Sequence, residues 1–167
     1  MKRVFATLLA IAAMTAFIIW GPVTKYAASA LPIVHAQEQT AGCSLARAAG
    51  SYGVSDSGTI VGIGPIAIVS LATLDAGGTI SGKSTLSENG DISQRTLSGT
   101  YTVNRDCTGT VTFGEFDQSG NLLITLTADL VWDNNMSQFR FIVTSVVVPS
   151  GPSIPTVLSG DGRKLVP

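Results

Sequence analysis

From Gly50 onward the chain is cut by turn-forming clusters. They are Asp75-Ala76-Gly77-Gly78, Glu88-Asn89-Gly90-Asp91, the runs 104–109 and 117–121, and Asp133-Asn134-Asn135. Between them apolar residues alternate with Ser and Thr, a period of two that belongs to strands with one face buried. Short alternating strands divided by turns about every ten residues indicate an antiparallel sandwich or barrel. Eight strands are predicted, near 50–57, 66–74, 79–87, 92–103, 109–116, 122–132, 137–147 and 156–164, with a short helical turn over 44–49. The segment 146–155 holds Pro149, Pro152 and Pro155. It reads as a loop, because proline has no N–H to give a central ladder.

Two hairpins can be put in register. Asn89-Gly90 suits a type I′ turn, whose two central residues need positive φ; it sets Glu88 opposite Asp91 and Ile80 opposite Gly99. A similar turn at Asn134-Asn135 would set Trp132 opposite Ser137, Leu130 opposite Phe139, Ala128 opposite Phe141 and Leu126 opposite Val143, with Asp129 facing Arg140 on the other side. One face is then apolar and the other polar. A one-residue slip would mix them.

The N-terminus reads as a targeting signal. Lys2 and Arg3 precede an apolar or small run from Val4 to Trp20, and small-residue sites follow at Ala28-Ser29-Ala30 and Val34-His35-Ala36. Cleavage after Ala36 is expected, which assigns 1–36 to a signal peptide, 37–49 to a tail and 50–167 to the folded domain. The competing reading is a retained anchor, since the run is near the roughly 20 residues that span a bilayer. Cleavage removes Lys2, Arg3 and Lys25, three of the 10 basic residues, and none of the 11 acids, leaving a net charge of −4. The remaining basic residues are scattered apart from Arg163-Lys164, so neither nucleic acid nor an anionic membrane surface is expected as a partner. A secreted or periplasmic location and no stable membrane insertion after cleavage are expected.

The sole histidine, His35, lies in the part to be removed. The remainder cannot run a Ser-His-Asp or Cys-His mechanism, and it lacks the commonest zinc ligand. No catalytic residue, metal or cofactor is expected. Cys43 and Cys107 are the two cysteines, and an even pair in an exported chain reads as a disulfide. A rival reading is lipidation of Cys43 behind Thr40-Ala41-Gly42, a box weakened by its threonine.

Gly77 to Ser84 fits G-x-x-x-x-G-K-[ST]. That pattern cradles phosphates only when a helix follows its Lys-Ser. Here Asn89-Gly90 arrives within six residues of Ser84, which leaves no room for a helix. The match is a decoy, and no nucleotide is expected.

Three stretches carry a resemblance: Cys43 followed by Gly50-Ser51-Tyr52-Gly53, then LDAGGTISG (74–82), then GTYTVNRDCTGT (99–110). Together they resemble a recurrent pattern of small exported bacterial proteins of unassigned function with a calycin-like (lipocalin or allene oxide cyclase-like) β-barrel. Leu74 and Ala76 depart from the Phe and Gly usual there. The resemblance implies an eight-stranded antiparallel up-and-down barrel, a disulfide joining Cys43 to Cys107, and no catalytic residue. The residues agree with tight curvature, since Gly99 opposite Phe113 lets a ring lie over a glycine.

The candidate chemistry reads mainly as packing. Glu115 and Asp117 could form an acid/base pair, but they read as a solvated strand end beside a turn. Asp129 and Arg140 read as a surface pair, and Tyr52 and Tyr101 as core. Were the barrel to hold a small apolar molecule, Tyr52, Tyr101, Phe113, Trp132, Phe139 and Phe141 would line its site, with Trp132 beside one mouth. A non-catalytic interaction scaffold is the alternative. A cyclase-type enzyme, in which the barrel only shapes a reactive substrate, has the least support because acid/base groups are wanting.

Overall fold

The computed structural model describes residues 42–133 and 135–165; the expected signal peptide, the tail up to Ala41 and Asn134 lie outside them. Strands β1 (Gly50–Ile60), β2 (Gly64–Leu74), β3 (Thr79–Glu88), β4 (Asp91–Tyr101), β5 (Thr108–Phe116), β6 (Leu122–Trp132), β7 (Gln138–Val147) and β8 (Thr156–Lys164) follow one another as antiparallel neighbours. β8 then pairs with β1 from Tyr52↔Lys164 to Ile60↔Thr156, closing an up-and-down barrel. Preceding the barrel, α1 (Leu45–Ala48) is one short turn, begun by Ser44, whose hydroxyl accepts from the Arg47 N–H. Among the described residues no helix is long and apolar enough to cross a membrane.

The first hairpin register holds. Asn89 and Gly90 take φ of 50° and 99°, Glu88 faces Asp91, and Ile80 faces Gly99. Gly99 also faces Phe113. The same device recurs where Gly162 faces Phe139, since a Cβ on Gly162 would collide with the phenyl ring.

The second register is corrected by two residues. Trp132 faces Phe139, Leu130 faces Phe141 and Ala128 faces Val143, until a bulge after Thr127 brings Leu126 opposite Val146. The cause is the turn, which is longer than two residues. The Asp133 N–H donates to the Gln138 carbonyl, and the Asp133 carboxylate accepts from the Ser137 and Gln138 amides and the Ser137 hydroxyl. Met136 turns the chain with φ of 61°. Asp129 therefore faces Ile142, Arg140 faces Val131, and the expected Asp129–Arg140 pair does not form. From Trp132 to Ala128 the shift is even, so each residue keeps its face; past the bulge the offset is three, Val146 is the buried residue opposite Leu126, and the core stays apolar.

Cys43 and Cys107 are joined by a disulfide. The Cys43 sulfur is thereby occupied, which leaves no thiol for a lipid. The bridge spans 64 residues and ties the α1 segment to the β4–β5 loop. In the chain-entropy account a loop of that length is worth about 4 kcal/mol. Cys107→Ser should lower the unfolding free energy by about that amount in a denaturant titration, and native protein should show no reactive thiol. Two titratable thiols in native protein would refute the bridge.

Candidate functional site

Closure gives the sheet one interior, filled by every second residue of each strand. At the end nearer the N-terminal segment, Tyr52, Trp132 and Phe139 form a ring cluster with centroid separations of 4.8 to 5.8 Å. Above it sits α1. The Tyr52 hydroxyl donates to the carbonyls of Ala48 (2.7 Å) and Met136 (3.1 Å). The Tyr101 hydroxyl donates to Asp75 O at 2.6 Å and lies 3.4 Å from Leu45 O. Lys164 donates to Arg47 O at 3.1 Å. Burial pushes both phenols upward, with added repulsion from Tyr101 and Asp133 at Tyr52 and from Asp75 at Tyr101, which reaches about 12. This end is stoppered. Trp132, 4% exposed, lies beneath the stopper rather than beside an open mouth.

Toward the other end the inward positions become polar. On β1 the inward series Tyr52, Val54 continues to Asp56; on β5, Val111 and Phe113 continue to Glu115; on β4, Tyr101 and Leu97 are joined by Arg95. Glu115 is 3% exposed and accepts from Arg95 Nη1 at 2.6 Å; Arg95 Nη2 lies 3.6 Å from Glu88. The expectation of a solvated strand end is thus wrong for Glu115, whose side chain lies inside the barrel. Its supposed partner Asp117 belongs to the turn, accepting from the Ser119 and Asn121 amides and the Asn121 side chain, bonds that lower its pKa. Glu115's interior neighbour is Asp56, whose carboxyl is raised to about 7, chiefly by burial and then by the charge of Glu115. Acid/base groups are therefore present in the lumen.

A cavity of about 60 Å³ runs between the two ends. Asp56 and Glu115 border it, with Tyr101, Phe113, Trp132, Phe139 and Phe141 among the apolar lining. Five of the six predicted ligand-binding residues thus meet at one cavity. The sixth, Tyr52, is fully buried and braces the stopper instead. Prediction missed Asp56 and Arg95, though strand alternation carried the signal: each lies two residues from an inward apolar neighbour. Arg105, Arg140, Arg163 and Lys83 lie outside this group. Lys83 and Ser84 sit within β3, Lys83 exposed and Ser84 buried on the opposite face, and β3 runs on to Glu88 without a helix. Among the described residues no group of three His, Cys, Asp or Glu is placed to hold a metal.

No protein-family model matches the chain, and no curated protein matches it. Solved structures do. A redesigned β-barrel, mFAP1, bound to DFHBI superposes with a TM-score of 0.50 at 15% identity, covering 72% of this chain and 98% of the other. EF1p2_mFAP2b bound to DFHBI gives a TM-score of 0.51 at 14% identity, covering 73% and 100%. At such identities the likeness is one of fold: an eight-stranded antiparallel barrel.

The raised Asp56 pKa has a consequence for stability. Unfolded, this carboxyl titrates near 3.8 and folded near 7. Between those values the folded state holds a proton that the unfolded state has lost, so stability falls as pH rises from about 4 to about 7 and then levels. The full penalty is on the order of 4 kcal/mol. Asp56→Asn should remove the slope and raise the melting temperature at pH 8. A wild-type stability that is flat between pH 4 and 7 in denaturant titrations would contradict this.

Proposed function

We propose that the protein is exported, to the periplasm or beyond the cell, and that it holds one small, largely apolar molecule in its lumen. The observation that carries this reading is the cavity itself. It is apolar along most of its wall and meets fixed polar groups at one place, the pattern of a small-molecule site. Two solved barrels of the same fold, mFAP1 and EF1p2_mFAP2b, are bound to DFHBI, which supports a small-molecule guest here. At about 60 Å³ the cavity is well below the roughly 300–1,000 Å³ of pockets for drug-sized ligands. The guest is therefore a molecule of few heavy atoms, or one that turns the half-buried rings of Phe113 and Phe141 aside. The basic n-region and small-residue sites before Gln37 support export, as does the disulfide.

With residues 1–36 removed, Trp132 is the only tryptophan, and it borders the cavity. A guest should change its emission saturably. It should also stabilise the fold by about 2.7 kcal/mol at a hundredfold excess over its dissociation constant. Trp132→Phe should erase the optical signal while a thermal shift remains. If a broad panel of small apolar molecules gives neither response, the carrier reading fails and an interaction scaffold replaces it.

A further inference from the structure

We propose that the guest of this lumen carries an ammonium group, seated between Asp56 and Glu115, on a body of a few carbons. The inference rests on the carrier reading above and narrows it to a ligand class. Its ground is a charge imbalance in an enclosed space. Arg95 is the cation of the group, and its guanidinium is turned to Glu115 and Glu88, 2.6 and 3.6 Å away. Asp56 forms no ion pair among the described residues. It faces the same cavity as Glu115 and feels its charge, so the two carboxyl groups at the cavity have one cation between them, and that cation is drawn to the partly exposed Glu88 as well. The other strands packed against Asp56 add no further titratable group inside: β2 presents Ile68 and Ser70 there, and β8 presents Gly160. A buried carboxylate without a counter-ion is costly, and a guest cation removes that cost where a neutral guest cannot.

A second observation comes from the same cavity. Trp132, nine-tenths or more buried and part of the lining, has an indole N–H with no acceptor. Such groups are costly when left unmade and mark a place where a polar guest supplies what the protein does not. An ammonium donates to the carboxylates at one end of the cavity; the indole N–H is a second unpaired polar group in its wall, toward the stoppered end. An anionic guest would instead meet the charge of Glu115.

Proton linkage follows. An ammonium beside Asp56 favours the ionised carboxyl, so binding expels the proton that Asp56 holds below pH 7. Affinity for the cation therefore rises with pH through that range, while affinity for a neutral isostere does not. Three probes of equal length separate these cases: 3-aminopropan-1-ol, propane-1,3-diol and 3-hydroxypropionate. Their binding to the mature protein is read from the Trp132 indole N–H resonance and the Asp56 carboxyl resonance. At pH 8.5 the amino alcohol should bind at least tenfold more tightly than the diol, and at pH 5.5 that advantage should shrink to less than threefold. Asp56→Asn should abolish the advantage. Equal affinity for amine and diol at pH 8.5, or preference for the acid, would overturn the ammonium assignment while leaving a lumen that binds small molecules. Failure of all three to produce a saturable shift would overturn it too; a thermal response to the apolar panel would then show whether the carrier reading survives.

Discussion

The ladder between β1 and β8 is the constraint on which the rest depends. Nine residue pairs, from Tyr52↔Lys164 to Ile60↔Thr156, join the first strand to the last and leave the sheet no edge between them. Once the sheet closes, alternation alone decides what is inside, and an eight-stranded interior is only wide enough for its own side chains or one small guest. Bulky rings fit that space because glycines face them, as Gly162 does Phe139 and Gly99 does Phe113. The disulfide and the Tyr52 hydroxyl, with a longer contact from Tyr101 to Leu45 O, then fix α1 at one end.

Polar residues in such a lumen demand a reason. A buried ion pair seldom adds net stability over apolar residues of equal volume, because desolvation offsets the attraction. Here the arrangement goes further, since Asp56 stands beside the Arg95–Glu115 pair without a cation of its own. Stability is given up at a place that borders a cavity, the usual relation between a strained group and a functional site. It also weakens the case against chemistry in the lumen: Asp56 can hold or release a proton near neutral pH.

Much of this was legible in the sequence, for physical reasons that can be named. Strand positions followed from turn chemistry, and Asn89-Gly90 fixed its own register because few residues accept positive φ. The Asn134-Asn135 hairpin was misaligned because Asp133 caps a longer turn with its side chain, a competition that composition does not reveal. As far as Ala128 the faces survived because the error was even; beyond it a bulge changes the alternation. Glu115 was misjudged for a different reason: its neighbours in sequence, Gly114, Phe116 and Asp117, suggest a strand end. Its surroundings in space are Arg95 on β4 and Asp56 on β1. Strict alternation from Phe113 would have put it inside. That Asp56 lacks a counter-ion depends on three strands meeting across a closed barrel, which no single stretch encodes.

The central claim is that one carboxyl stands in the lumen without a counter-ion. A carbon-13 NMR titration of the side-chain carboxyls in the ligand-free mature protein tests it most directly. The account predicts that the Asp56 resonance titrates with a midpoint near 7, and that replacing Glu115 by Gln moves that midpoint down. An Asp56 midpoint near the ordinary aspartate value of about 3.9, insensitive to Glu115, would show a solvated or already paired carboxyl and contradict the account.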